Sequence, residues 1–73
     1  MENIPVVDRK PSKRTYQFYD GFQYLKNAKK VAQDRKVQKL DPVIHRLKTP
    51  KLLATTRAKF MLYVRNEEIK INT

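Results

Sequence analysis

Between residues 9 and 59 the chain sets fifteen Lys and Arg against three acids, Asp20, Asp34 and Asp41. Any fold must keep that surplus (15 − 3 = 12 positive charges) apart and in water, because a buried unpaired cation is prohibitive. With only 73 residues and a formal net charge of +10, one small core is the most the chain can build. The ends are different. Glu2 and Asp8 are the only charges in the first eight residues, and in the last fourteen Arg65 and Lys70 balance Glu67 and Glu68. A field this lopsided is self-repulsive and draws polyanions from a distance, which favours a functional use over a merely solubilising surface.

The same composition removes several classes. There are no cysteines, so disulfides and thiolate metal sites are excluded and a reducing cytosol is the natural setting. A single histidine cannot assemble a zinc site without cysteine partners, so neither a metal nor a cofactor is expected. No apolar run approaches the roughly 18 residues that span a bilayer, and the N-terminus lacks a signal-peptide core. The expectation is a soluble, cytoplasmic protein without a membrane or small-molecule partner. One glycine in the whole chain leaves no glycine-rich phosphate loop.

Residues 1–14 read as a flexible basic arm, since Pro5 and Pro11 block regular structure and Arg9, Lys10, Lys13 and Arg14 surround Pro11 and Ser12 with charge. Ile4, Val6 and Val7 stand out as apolar residues able to dock on a core edge or on a partner. Residues 15–73 are then the compact domain. Around Asp20-Gly21 the alternating aromatics fit a tight hairpin, and Asp20 equally fits a helix N-cap. The next residues favour the helix: Tyr24, Leu25, Ala28, Val31 and Ala32 fall within about 120° of arc, with Lys26, Lys29 and Lys30 outside it. The spacing predicts a strand over 15–19 and a helix over 21–34, ending near Arg35 and Lys39, which fall back onto the apolar stripe.

Asp41-Pro42 and Thr49-Pro50 each put a good N-cap before a proline, predicting a short helix on Val43, Ile44 and Leu47 and another beginning at Leu52, Leu53 and Ala54. The run Phe60-Met61-Leu62-Tyr63-Val64 suits a helix or a strand. Ile69 and Ile71, alternating with polar neighbours, favour a terminal hairpin of 59–65 and 68–72. The fold class expected is therefore α+β, a small single domain with two or three short helices and a small antiparallel sheet. An all-α three-helix or winged-helix-like bundle is the alternative.

Catalysis is not expected. His45 has only Asp41 as a nearby acid, Ser12 lies in the arm, and the adjacent Glu67 and Glu68 diverge on a strand. No base, orienter and nucleophile come together. The candidate binding residues are cations in three sets: Arg9, Lys10, Lys13 and Arg14 in the arm; Lys26, Lys29 and Lys30 on the first helix; Arg46, Lys48, Lys51, Arg57 and Lys59 beyond it. Five aromatics, Tyr16, Phe18, Tyr19, Phe22 and Tyr24, occur within nine residues, too many for so small a core. Phe22 and Tyr24 are expected inside with Leu25. Tyr16 and Tyr19 are expected outside, able to stack on bases or anchor a protein interface. A helix-turn-helix around Thr49-Pro50 would have a recognition helix poor in base-reading side chains, with only Arg57 suited to the task.

The opening Met1-Glu2-Asn3-Ile4-Pro5, the basic centre, and the segments 15–21 and 60–68 resemble the small RNA-polymerase-binding transcription regulators of lytic Xanthomonas phage. The resemblance implies a protein acting in the host-cell cytoplasm on the β′ and β subunits of bacterial RNA polymerase. It would block promoter initiation by disturbing the σ factor, and let elongating polymerase read through terminators. It assigns no contact residue. Two other readings follow from the residues themselves: a basic nucleic-acid-binding protein of ribosomal or architectural type, and a subunit of a larger particle.

Overall fold

The apolar run Phe60–Val64 is extended, and it lies at the centre of a sheet. A computed structural model describes residues 4–66. In chain order these form β1 (Val6–Val7), β2 (Tyr16–Phe22), α1 (Leu25–Ala32), α2 (Arg35–Gln38), β3 (Val43–Leu53) and β4 (Thr56–Arg65). The four strands make one mixed sheet in the order β1-β3-β4-β2. This is the expected α+β domain, with one difference in the sheet. β2 and β3 both run antiparallel to β4, but β1 joins β3 in parallel, pairing Val6 with Ile44 and Val7 with His45.

Strand alternation explains why β4 is central. Leu62 and Val64 point to one face and join Ile44, Ala28, Ala32 and Val37 in the main core, with Phe22, Leu25, Val31 and Phe60 packed around it. Met61 and Tyr63 point to the other face, where Val43 completes a second cluster flanked by Val7, Tyr16, Leu47 and Leu53. Both helices serve the first face. α1 presents Ala28 and Ala32, one turn apart and fully buried, and two small side chains let its backbone lie close over Ile44 and Leu62. Lys29 and Lys30 fall in its last turn, where cations complement the helix dipole. The chain restarts as α2 because the Asp34 side chain accepts a hydrogen bond from the Lys36 N–H at 2.9 Å, an N-cap that puts Val37 into the core.

Several expectations need correcting. The first helix begins at Leu25 rather than residue 21: Gly21 and Phe22 belong to β2 and pair with Met61 and Phe60. Asp20 caps no helix, its Oδ1 accepting from the next N–H, that of Gly21, at 2.7 Å. Nor is Asp20-Gly21 a hairpin turn. Gly21 is there for space, since a Cβ would collide with Leu53 Cδ1 and come within 3.1 Å of Ala58 Cβ. The two helices predicted over Val43–Leu47 and from residue 50 are both absent, and the winged-helix-like alternative goes with them. That stretch is β3 and the start of β4. Val43 and Ile44 are β-branched and bury themselves against Tyr63 and Leu62 across the ladder, which outweighs the N-cap chemistry ahead of them. Asp41 adopts φ 54° instead of capping a helix, and its carboxylate meets Arg65 Nη2 at 2.9 Å. Thr49 and Pro50 fall where the β3–β4 register breaks, between Arg46 and Lys51. A proline is tolerated there because no ladder bond needs its missing N–H.

Residues 59–65, expected as a strand, lie within β4. The partner strand expected at 68–72 lies outside the described residues. The segment expected as an arm contributes β1, anchored where the Ile44 N–H donates to the Pro5 carbonyl at 3.0 Å. It then turns at Ser12, whose carbonyl accepts from Thr15 and Tyr16 and whose Oγ accepts from Arg14 N–H.

Candidate functional site

The helices cover one face of the sheet; the other carries aromatic side chains. β2 and β4 are in register so that Phe18 lies opposite Tyr63 and Tyr16 opposite Arg65, and cross-strand partners share a face. The Phe18 and Tyr63 rings meet edge to face with centroids 6.0 Å apart. On the β3 side the His45 ring lies 6.2 Å from Tyr63. Tyr63 and His45 are buried, at 4% and 8% exposure, whereas Phe18 is 48% exposed. Burial raises the Tyr63 phenol pKa above its ordinary value. The result is a graded surface, with Tyr63 as floor and Phe18 as an open ring at the rim.

An open groove of about 440 Å³ runs over this floor, lined by Tyr16, Phe18, Leu53, Met61 and Tyr63, with Lys10, Lys13 and Lys51 around it. The lysines arrive from separate places. The Ser12 turn brings Lys10 and Lys13 alongside β2, and Lys51 follows the interruption in β3. Among the described residues no acid lines the groove. Among the described residues the ion pair joins Asp41 to Arg65, and none of their carboxylates is paired with these three lysines.

The other candidate cations are dispersed. Arg9, Arg46 and Lys48 line a separate groove with Asp8 and Leu47. Leu47 packs against the same second cluster as Tyr16 and Leu53, so this groove adjoins the aromatic face. Arg57 and Lys59 border a third depression, of about 350 Å³, with Tyr24, Pro50 and Phe60. Lys30 and Tyr19 line a fourth together with Asp34 and Lys36. Arg14, Lys26 and Lys29 are exposed and line none of these four.

Two aromatic assignments change. Tyr24, expected in the core, is 60% exposed; it precedes α1 as an extended N-cap residue and so misses the helical stripe. Tyr16, expected outside, is half-buried against the second cluster. Tyr19 is 48% exposed as expected, but as the residue after Phe18, at the β2 bulge, it lies off the aromatic face and beside Lys30, Lys36 and Val37 of the helices. Phe18, Met61 and Tyr63 are the groove residues that sequence reasoning did not single out. The signal lay in period-two spacing shared by residues 16 and 18 and residues 61 and 63, visible only once both runs are taken as neighbouring strands.

Among the described residues no three His, Cys, Asp or Glu gather to hold a metal ion, and no helix is long and apolar enough to cross a membrane. Comparison with family models, with curated proteins and with solved structures finds no match to this chain.

Proposed function

We propose that this protein is a non-enzymatic transcription regulator that docks on bacterial RNA polymerase, hinders promoter initiation by disturbing the σ factor, and promotes read-through of terminators. The observation that carries the reading is the placement of the resembling segments. Within the described residues, 16–21 of the first segment and 61–65 of the second lie side by side on the neighbouring strands β2 and β4, from Tyr16 opposite Arg65 to Gly21 opposite Met61. Segments far apart in the chain thus contribute to one continuous surface, as a docking module requires.

The depression around Tyr24 supports a protein partner. It combines a largely exposed tyrosine with Pro50, Phe60 and the cations Arg57 and Lys59. Tyr and Arg are the residue types most concentrated at interface hot spots, and flanking cations speed encounter with an acidic surface. The open grooves, with no walled chamber among those described, suit binding better than turnover.

The test is affinity capture on the tagged chain from a nuclease-treated Xanthomonas lysate. Recovery of polymerase identified by its β and β′ subunits is expected, together with reduced promoter-dependent transcription and increased terminator read-through in a purified system. Polymerase recovery that disappears on nuclease treatment would overturn the reading. Tyr24→Ala should weaken capture by about tenfold or more, the scale of a hot-spot tyrosine.

A further inference from the structure

The helix-free face assigns a second activity that does not rest on the polymerase reading and belongs to the isolated chain. We propose that the groove over Tyr63 binds single-stranded nucleic acid, with unstacked bases lying on Phe18 and Tyr16 and the phosphates following Lys10, Lys13 and Lys51.

Three features select this occupant. First, Phe18 is held by its edge-to-face contact with Tyr63 while nearly half its surface remains open, so a base can cover a ring whose position is already fixed. Stacking on such a ring is worth about 1–3 kcal/mol per base and tolerates any base. Second, the described residues ring the groove with three lysines and no acid, which fits a chain carrying one negative charge per residue. Third, the aromatic floor is recessed between those lysines. A duplex keeps its bases stacked inside and offers phosphates alone, whereas a single strand can offer both at once. An acidic peptide would satisfy the lysines but has no series of π faces for the rings. Arg9, Arg46 and Lys48, which line the adjoining groove together with Asp8, add a net positive charge beside it.

The measurement is fluorescence anisotropy of the full-length protein with labelled ten-nucleotide thymidine and uridine strands, an abasic strand of the same length, a ten-residue oligoglutamate, and a duplex. Both base-bearing strands should bind at least about tenfold more tightly than the abasic strand. Each stacking contact should contribute about 5- to 150-fold, the equivalent of the energies above. The groove lysines should set a slope of log affinity against log salt of about −2, from roughly −0.7 for each of three phosphates neutralised. Lys51→Gln should make that slope shallower by about 0.7.

Two substitutions separate stacking from folding. Phe18→Leu keeps an apolar side chain at the rim but removes the π face, and should weaken binding to the base-bearing strands by about fivefold or more. Phe18→Tyr should retain it. Tyr19→Ala is the control: Tyr19 is as exposed as Phe18 but lines a different groove, so its loss should leave affinity unchanged. Equal binding of abasic and base-bearing strands would overturn the proposal. So would an unaffected Phe18→Leu protein, a Tyr19→Ala loss as large as that of Phe18→Leu, or oligoglutamate binding as tightly as oligothymidine.

Discussion

Tyr63 shows how much a single position does in a protein this small. Its side chain lies opposite Phe18 on β2 and Val43 on β3, so it bonds the second cluster together and forms the groove floor. Burial holds the phenol pKa above its ordinary value of 10.0, because ionising it would place a phenolate among apolar neighbours. The linkage has a definite sign. The folded protein keeps this proton to higher pH than the unfolded chain, so the stability Tyr63 lends is complete below pH 10 and is lost as pH rises through the folded-state value. Denaturant unfolding at pH 9 and pH 11 should therefore show a larger fall for the wild-type protein than for Tyr63→Phe. Comparing the two cancels the lysine deprotonation that both undergo in the same window. Gly21 is the counterpart at which absence of a side chain matters. The Asp-Gly pair announced a turn or a cap, yet the residue is fixed by its closeness to Leu53 and Ala58, which no local pattern encodes.

At the level of elements, α1 and β4 were legible and β3 was not, for physical reasons that differ. α1 carries its own evidence, because Ala28, Val31 and Ala32 repeat at helical spacing and the lysines take the other side. β4 declared itself as an apolar run, and its neighbour could not be inferred from it. β3 was obscured by Asp41-Pro42 and Thr49-Pro50, two dipeptides that start helices in isolation. Its true partner lies across the hairpin, and the pairing of Ile44 with Leu62 is invisible to a reading along the chain. The same limit hid the groove: its lysines and aromatic rings are plain in the sequence one by one, but the Ser12 turn that brings Lys10 and Lys13 to Tyr16 and Phe18 has no distinctive motif. The β3–β4 turn itself is chemically unadvertised. Leu53 pairs with Thr56, so Ala54 and Thr55 form the loop, and Ala54 sits at φ 53°. An L side chain in that region costs about 1–2 kcal/mol, and glycine escapes the cost while losing about 0.4–1 kcal/mol through its freer unfolded chain. Ala54→Gly should therefore stabilise the hairpin by about 0.5 kcal/mol. In a thermal melt that reads as a rise in Tm of about 2–4 °C for a domain of this size.

For the whole molecule, charge sets the conditions under which the fold exists. The ion pair recorded among the described residues is solvent-accessible on both sides, at 39% and 61%, and such a pair contributes little. The net charge of +10 therefore acts mainly as self-repulsion, which ions screen over about 10 Å at 0.1 M salt. Raising sodium chloride from about 0.02 M to 0.5 M should raise Tm by several degrees, on the order of 1 kcal/mol, while weakening attachment to any polyanion. A Tm that fell with salt would mean that attractive pairs dominate instead. The geometry of the sheet adds a different constraint. β1 is two residues long and covers β3 only at Ile44 and His45, while Pro50 and exposed Lys48 and Lys51 guard the rest of that margin against strand addition. The seam is thus closed by the shortest strand of the sheet, held through two residue pairs. The backbone amides of Val6 and Val7 should therefore exchange with deuterium ahead of those in β2, β3 and β4.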